Sequence, residues 1–279
     1  MYGDLKLRNR SDGAIYEYLR CGHQLARYHM LAPERMGQTH VRRFFLHLTE
    51  ERKLSPGALR VYVGAIKFLF GVTLGRPNVV AWLAYPRMPK KLPEVLSLEE
   101  VRTLLAATDG RRTRCWLMAG YGAGLRVSEV ARLRPEHIRA DRGIIQVHAG
   151  KGAKDRQVPL SPVLLAELRA WWVEARPEGG WLFPGAVPGA PITSGTIQNH
   201  FHKARRAAGL REGLTFHSLR RSFATHQLEA KVDLATVQAV LGHASLETSL
   251  RYIRLRTDHL VAAGTPLDRL QGGLDRPRN

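Results

Sequence analysis

The sequence predicts a mainly α protein in two parts: an N-terminal all-helical domain, then a mixed α+β domain carrying a small β-hairpin sheet. Three features predict this. Apolar residues recur at helical spacing up to about residue 84. Residues 85–93, with three prolines and three cations, then break the periodicity and read as an extended linker. The β-rich runs lie beyond that break, on either side of a glycine-punctuated turn.

In the first part, Ile15, Tyr18, Leu19 and Ala26 fit one helical stripe, and Val41, Phe44, Phe45 and Leu48 repeat at i, i+3, i+4, i+7. Ser55 before Pro56 is an N-cap followed by proline at the first helical position. Leu59, Tyr62, Val63, Ile66, Leu69 and Phe70 keep the spacing after it, and a short fourth helix is expected around residues 78–83. Arg42, Arg43, Arg52, Lys53, Arg60 and Lys67 lie between the apolar positions, which suits either a DNA clamp or a solvated face. The expected division is residues 1–88, a linker at 89–94, a second domain at 95–260 and a tail at 261–279.

In the second part, Ser97-Leu-Glu-Glu100 is a capping box that opens a helix with Val101, Leu104 and Leu105 inside. Residues 144–148 and 156–160 form the hairpin around Gly150-Lys-Gly-Ala-Lys-Asp155. Ser161-Pro162 starts a helix expected to turn Leu164, Leu165, Leu168 and Trp172 inward. Further helices are expected over residues 196–208, 217–230 and 233–241, the last stopped by Gly242.

Lys plus Arg number 43 against 24 Asp plus Glu, a formal charge of +19 spread along the 279 residues. A globular chain this basic meets a polyanion, nucleic acid first, with a ribosome-associated or membrane-surface protein as the alternative. Cys21 and Cys115 stand far apart in apolar surroundings, so neither a disulfide framework nor a thiolate metal site is expected. The N-terminus carries no apolar signal segment and no run of 18 apolar residues occurs, so a cytoplasmic protein with no membrane span is expected.

The chemistry-bearing residues are Arg126 in Gly124-Leu-Arg126-Val-Ser-Glu129, Lys151 between Gly150 and Gly152, His217-Ser-Leu-Arg220, and His243 followed nine residues later by Tyr252. They supply a nucleophilic hydroxyl, two guanidiniums, an amine and two imidazoles without a carboxylate cluster. Such a set can break a phosphodiester covalently without a metal or other cofactor. Guanidiniums neutralise phosphate, the phenol attacks, and imidazoles and amine move protons. Arg126 is expected at a helix N-terminus, with Glu129 holding the guanidinium or the hairpin. His217 and Arg220, three apart on a helix, point to one face. On the hairpin, Lys154 and Arg156 compete with Lys151 for the role of proton donor. His226 is read as structural, facing the next turn.

Singly these motifs are weak; as an ordered set they resemble the tyrosine site-specific recombinases, the phage integrases and Xer-type enzymes, over about residues 12–260. The resemblance implies a catalytic hexad of Arg126, Lys151, His217, Arg220, His243 and Tyr252, with His243 donating a hydrogen bond to the scissile phosphate. It further implies cleavage of double-stranded DNA through a 3′-phosphotyrosyl link, and a homotetramer in the synaptic complex formed from solution monomers. The hairpin-to-His217 interval has no long insertion, which favours a compact Xer-like or mobile-element enzyme over the integron branch. Gly264-Thr-Pro266 departs from the family's continuous C-terminal helix. The rival readings are a type IB topoisomerase-like enzyme with no synapsis and a DNA-binding regulator with a dead site. A metal-dependent transposase lacks its acidic triad here.

Overall fold

The computed structural model describes residues 1–88, 94–148 and 155–242. The chain divides into two compact units, Met1–Lys91 and Leu92–Asn279. In the first unit α1 (Tyr2–Leu7), α2 (Asp12–His29), α3 (Gln38–Leu46) and α4 (Pro56–Phe68) pack around Leu25, Met36, Phe44, Leu48, Ile66 and Phe70. Ser11 and Ser55 accept the backbone N–H of the third residue beyond them, which fixes where α2 and α4 begin. A wider π-type turn extends each of α3 and α4, over His47–Glu51 and Leu69–Thr73. Two differences from the sequence expectation appear. The buried stripe of α2 runs through Ile15, Cys21, Gly22 and Leu25, with Ala26 only partly covered. The expected fourth helix is a 3₁₀ turn over Pro77–Val80, where proline sets the first position but no side-chain cap extends it.

The second unit contains α5 (Leu98–Ala106), α6 (Arg111–Gly122), α7 (Val127–Ala131), β1 (Ile138–Arg139), β2 (Ile144–Val147) and β3 (Arg156–Pro159). Then follow α8 (Pro162–Ala175), α9 (Ser194–Ala207), α10 (Phe216–Glu229) and α11 (Leu234–Leu241). The capping box at Ser97 is present in both directions: Ser97 Oγ accepts the Glu100 N–H, and the Glu100 carboxylate accepts that of Ser97. Asp233 caps α11, and Gly242 closes it in the left-handed conformation. The hairpin of β2 and β3 pairs Val147 with Arg156, and the short β1 adds a third antiparallel strand beside β2. Two residues long, β1 carries too little alternation to be read from sequence. Trp116, Phe183, Phe201, Leu96 and Leu104 lie in the core of this unit, with Ile145, Val147 and Val158 from the sheet. Cys21 and Cys115 are free thiols at 0 % exposure, and burial pushes them up to about 11 and about 12 respectively, so both stay protonated at neutral pH.

One tryptophan assignment is corrected. Trp172 is 39 % exposed, while Trp171 packs on the core and donates its indole N–H to the Leu182 carbonyl at 3.0 Å. Leu164, Leu168 and Trp171 follow the i, i+4, i+7 phase, which leaves Trp172 100° off that line. Trp171→Ala is therefore expected to destabilise the protein by about 3 kcal/mol, and Trp172→Ala by no more than about 0.5 kcal/mol. Urea unfolding of the two variants checks this, and equal losses would contradict the assignment. Among the described residues no helix is long and apolar enough to cross a membrane.

Candidate active site

The site is assembled from the α6–α7 turn, the start of β3, the first two turns of α10 and the end of α11. Gly124 sits at φ +63°, and a Cβ there would stand 2.8 Å from Phe223 Cδ1. Only glycine allows this turn to lie on α10. The turn delivers Arg126 to the N-cap of α7, where its own N–H donates to Glu129 Oε2 at 2.7 Å and its Nη1 to Glu129 Oε1 at 2.8 Å. Glu129 thus holds the Arg126 guanidinium, and it also holds the hairpin. Arg156 at the start of β3 grips the same carboxylate with both terminal nitrogens at 2.8 Å.

Arg220 approaches from α10. Its side chain is 1 % exposed, its Nη1 donates to the Gly124 carbonyl at 2.6 Å, and it comes within 3.9 Å of Glu129. A guanidinium is tolerated there because carbonyls and a carboxylate replace its water. The three arginines also converge on the last carbonyls of α11. Val240 O accepts from Arg156 Nε at 2.7 Å, Leu241 O from Arg220 Nη2, and Gly242 O from Arg126 Nη2 at 3.4 Å. These are the carbonyls a helix leaves unpaired at its negative end, so cations suit them. Gly242 lies so close to Arg156 that a Cβ would sit 2.8 Å from its Cδ.

Three guanidiniums thus share one carboxylate, which leaves the cluster net cationic and ready for an anion. Burial alone would raise the Glu129 pKa. Hydrogen bonds from Arg156 and from the Arg126 backbone and side chain outweigh it and bring the value down to about 2, so the carboxylate is charged throughout the working range. His217, in the first turn of α10, is exposed, with its ring only partly desolvated by the protein. Burial, then repulsion from Arg221, Arg220 and Arg126, lowers its pKa to about 4. The ring is therefore a neutral imidazole at neutral pH, able to accept a proton.

The structure thus brings Arg126, Arg220 and His217 together from positions 94 residues apart at the extremes (220 − 126). Lys151, His243 and Tyr252 lie outside the described residues, as does Lys154. Arg156, weighed on sequence as a proton donor, is instead committed to Glu129 and Val240, 8 % exposed. Its phase carries the missed signal: Arg156 alternates with the buried Val158 and Leu160 and so faces inward. His226 does not face its own next turn. Its Nδ1 meets the Tyr121 hydroxyl at 2.9 Å across α6 and α10.

A pH titration of labelled histidines should place His217 well below the ordinary value of 6.5, with the signal assigned by its loss in His217→Gln. Because the unfolded state binds the extra proton between about 4 and 6.5, stability should rise with pH through that window and level off above it. A His217 ring titrating at 6.5 or higher would contradict the cationic surroundings described.

A helical unit is followed by a helical unit with a small sheet and a net cationic arginine cluster, and comparisons with known proteins give this arrangement a family. The Phage integrase family matches residues 94–259, and the N-terminal SAM-like domain of phage integrases matches residues 1–78. An integrase/recombinase relative of Sinorhizobium fredii is 40 % identical over 271 residues, spanning 97 % of this chain and 88 % of the relative. The tyrosine recombinase XerA of Pyrococcus horikoshii is 34 % identical over 221 residues, covering 78 % and 76 % of the two chains. Among solved structures, the XerH site-specific recombinase bound to its difH substrate superposes with a TM-score of 0.65 at 25 % identity, over 91 % of this chain and 77 % of that one. The chain belongs to the phage integrase family. It is a tyrosine recombinase, an enzyme of site-specific DNA strand cleavage and rejoining.

Proposed function

We propose that Tyr252 is the nucleophile of a hexad completed by Arg126, Lys151, His217, Arg220 and His243, acting on double-stranded DNA. The tyrosine oxygen attacks the scissile phosphorus and its proton passes to neutral His217. Arg126 and Arg220 take the growing charge on the non-bridging oxygens, and His243 donates a further hydrogen bond. The phosphorus–5′-oxygen bond breaks as Lys151 protonates the leaving oxygen, giving a 3′-phosphotyrosyl link and a free 5′-hydroxyl. A 5′-hydroxyl from a partner duplex reverses the step, so the bond energy is kept and neither nucleotide hydrolysis nor a metal is needed. The observation that carries this reading is that Arg126 and Arg220 close on the end of α11, with His217 in the field of both, since the next residue in the chain is His243.

In this reading residues 1–88 bind core DNA, residues 95–260 hold the chemistry, and the tail at 261–279 lies beyond it. Monomers bind half-sites and four protomers form the synaptic complex; a lambda integrase has been solved as a tetramer bound to a Holliday junction. The protein works in the cytoplasm on duplex DNA. The reading is tested by trapping the protein on a nicked duplex and sequencing both the DNA and the modified peptide. Attachment at Tyr252, undiminished by EDTA, is expected; a strict need for a divalent cation would refute the mechanism.

The proton donor has its own test. Lys151→Ala should be defective on ordinary DNA and largely restored on a substrate with sulfur as the bridging 5′ atom, because a thiolate leaves unprotonated. Restoration of Lys154→Ala but not Lys151→Ala would move the role to the other lysine.

A further inference from the structure

A second cationic site lies on the other face of the sheet. Val147 and its partner Arg156 face the core and Glu129, so Gln146, in the opposite phase of β2, faces away from the arginine cluster described above. On that side Arg132, Arg134, Glu136, His137, Arg139, Gln146, His148 and Trp181 line a solvent-open cavity of about 550 Å³.

Its chemistry is not that of an ordinary solvated surface. Three guanidiniums stand against one lining carboxylate, Glu136, which Arg134 engages at 3.5 Å. The rings of His137 and His148 lie 4.9 Å apart. Burial and then the neighbouring His148 lower the His137 pKa, so two potential cations are held together at an electrostatic cost. Asp155 offsets part of it by bonding His148 Nδ1 at 2.8 Å. Trp181 is fixed by its indole N–H on the Gly189 carbonyl, and the Arg134 guanidinium rests on its ring 4.2 Å from the centroid. Cations interleaved with fixed flat rings in a concave site match what unpaired nucleic acid requires: charge for the phosphodiester backbone, and ring or guanidinium faces for bases that a duplex would hide.

We propose that this groove binds an unpaired nucleic-acid strand, separately from the duplex held on the catalytic face. Arg132 and Arg139, both exposed, contact the phosphates, while Trp181 and Arg134 form the stacking platform. The proposal does not depend on which residue is the nucleophile.

The test uses the full chain and a fluorescent short oligothymidylate. Arg132→Ala/Arg139→Ala should weaken oligothymidylate binding about tenfold or more, and lower the slope of log affinity against log salt by about 0.7 per cation removed. Stacking should quench indole fluorescence, and Trp181→Phe should abolish that part of the quench; comparison with wild type isolates it among the five tryptophans. Duplex binding and covalent adduct yield should stay within twofold in these variants, which separates this site from the catalytic one. Unchanged oligothymidylate binding, or a quench that survives Trp181→Phe, would overturn the proposal. So would an equal loss of duplex affinity, which would make the groove part of the duplex interface, or competition by thymidine monophosphate as strong as by the strand.

Discussion

Tyr252→Phe is expected to abolish the covalent protein–DNA adduct while leaving DNA affinity within a few-fold of wild type. The substitution removes one oxygen. That oxygen is the proposed nucleophile, so no phosphotyrosyl bond can form, while a phosphate interface built from many cations barely registers its loss. Tyr121, in α6, offers a contrast among the described residues. Tyr121 already engages His226 at 2.9 Å, and burial raises its pKa, with only a partial counter-effect from Arg102. A phenol so held is a poor nucleophile. Tyr121→Phe should therefore retain full adduct formation. A full-strength adduct from Tyr252→Phe, or one mapped to Tyr121, would overturn the assignment.

Removing either site arginine should slow cleavage by at least ~100-fold, the usual loss when one donor to a transition-state oxyanion is taken away. The two should differ in stability. Arg126 is 41 % exposed in its side chain and shares Glu129 with Arg156, so Arg126→Ala leaves a satisfied carboxylate and should unfold near the wild-type temperature. Arg220 is 1 % exposed and bonded to the Gly124 and Leu241 carbonyls, so Arg220→Ala strands buried acceptors and should cost about 3–5 kcal/mol as well as activity. Arg220→Lys keeps a charge without the planar fork and separates the two effects: it should recover part of the stability while cleavage stays slow. Single-turnover cleavage and thermal unfolding of the three variants check this. Near-normal cleavage by Arg126→Ala or Arg220→Lys would show that the guanidiniums serve only the fold.

The sequence by itself determined what is local. Helix starts at Ser55, Ser97, Ser161 and Asp233 are each set by one side chain three residues from the N–H it accepts, and the stop at Gly242 by one backbone conformation. The hairpin, the break after the first unit, and the naming of Arg126, His217, Arg220 and Glu129 likewise rest on short-range pattern or ordered motif. The phase of a long apolar helix depends on one residue more or less. Tryptophans stand at both 171 and 172; the phase of Leu164 and Leu168 points to Trp171, and its bond to the Leu182 carbonyl and contact with Phe183 hold it inward. Only the tertiary structure decided what the charges do. Glu129 and Arg156 are 27 residues apart, Arg156 and Val240 are 84 apart, and Arg126 and Gly242 are 116 apart. No local signal links them, because a guanidinium has the same identity in sequence whether it faces solvent, a phosphate or a helix end. The groove with Trp181 was illegible for the same reason: its members come from a turn, two strands and a distant loop, and they become one site only when the sheet brings them together.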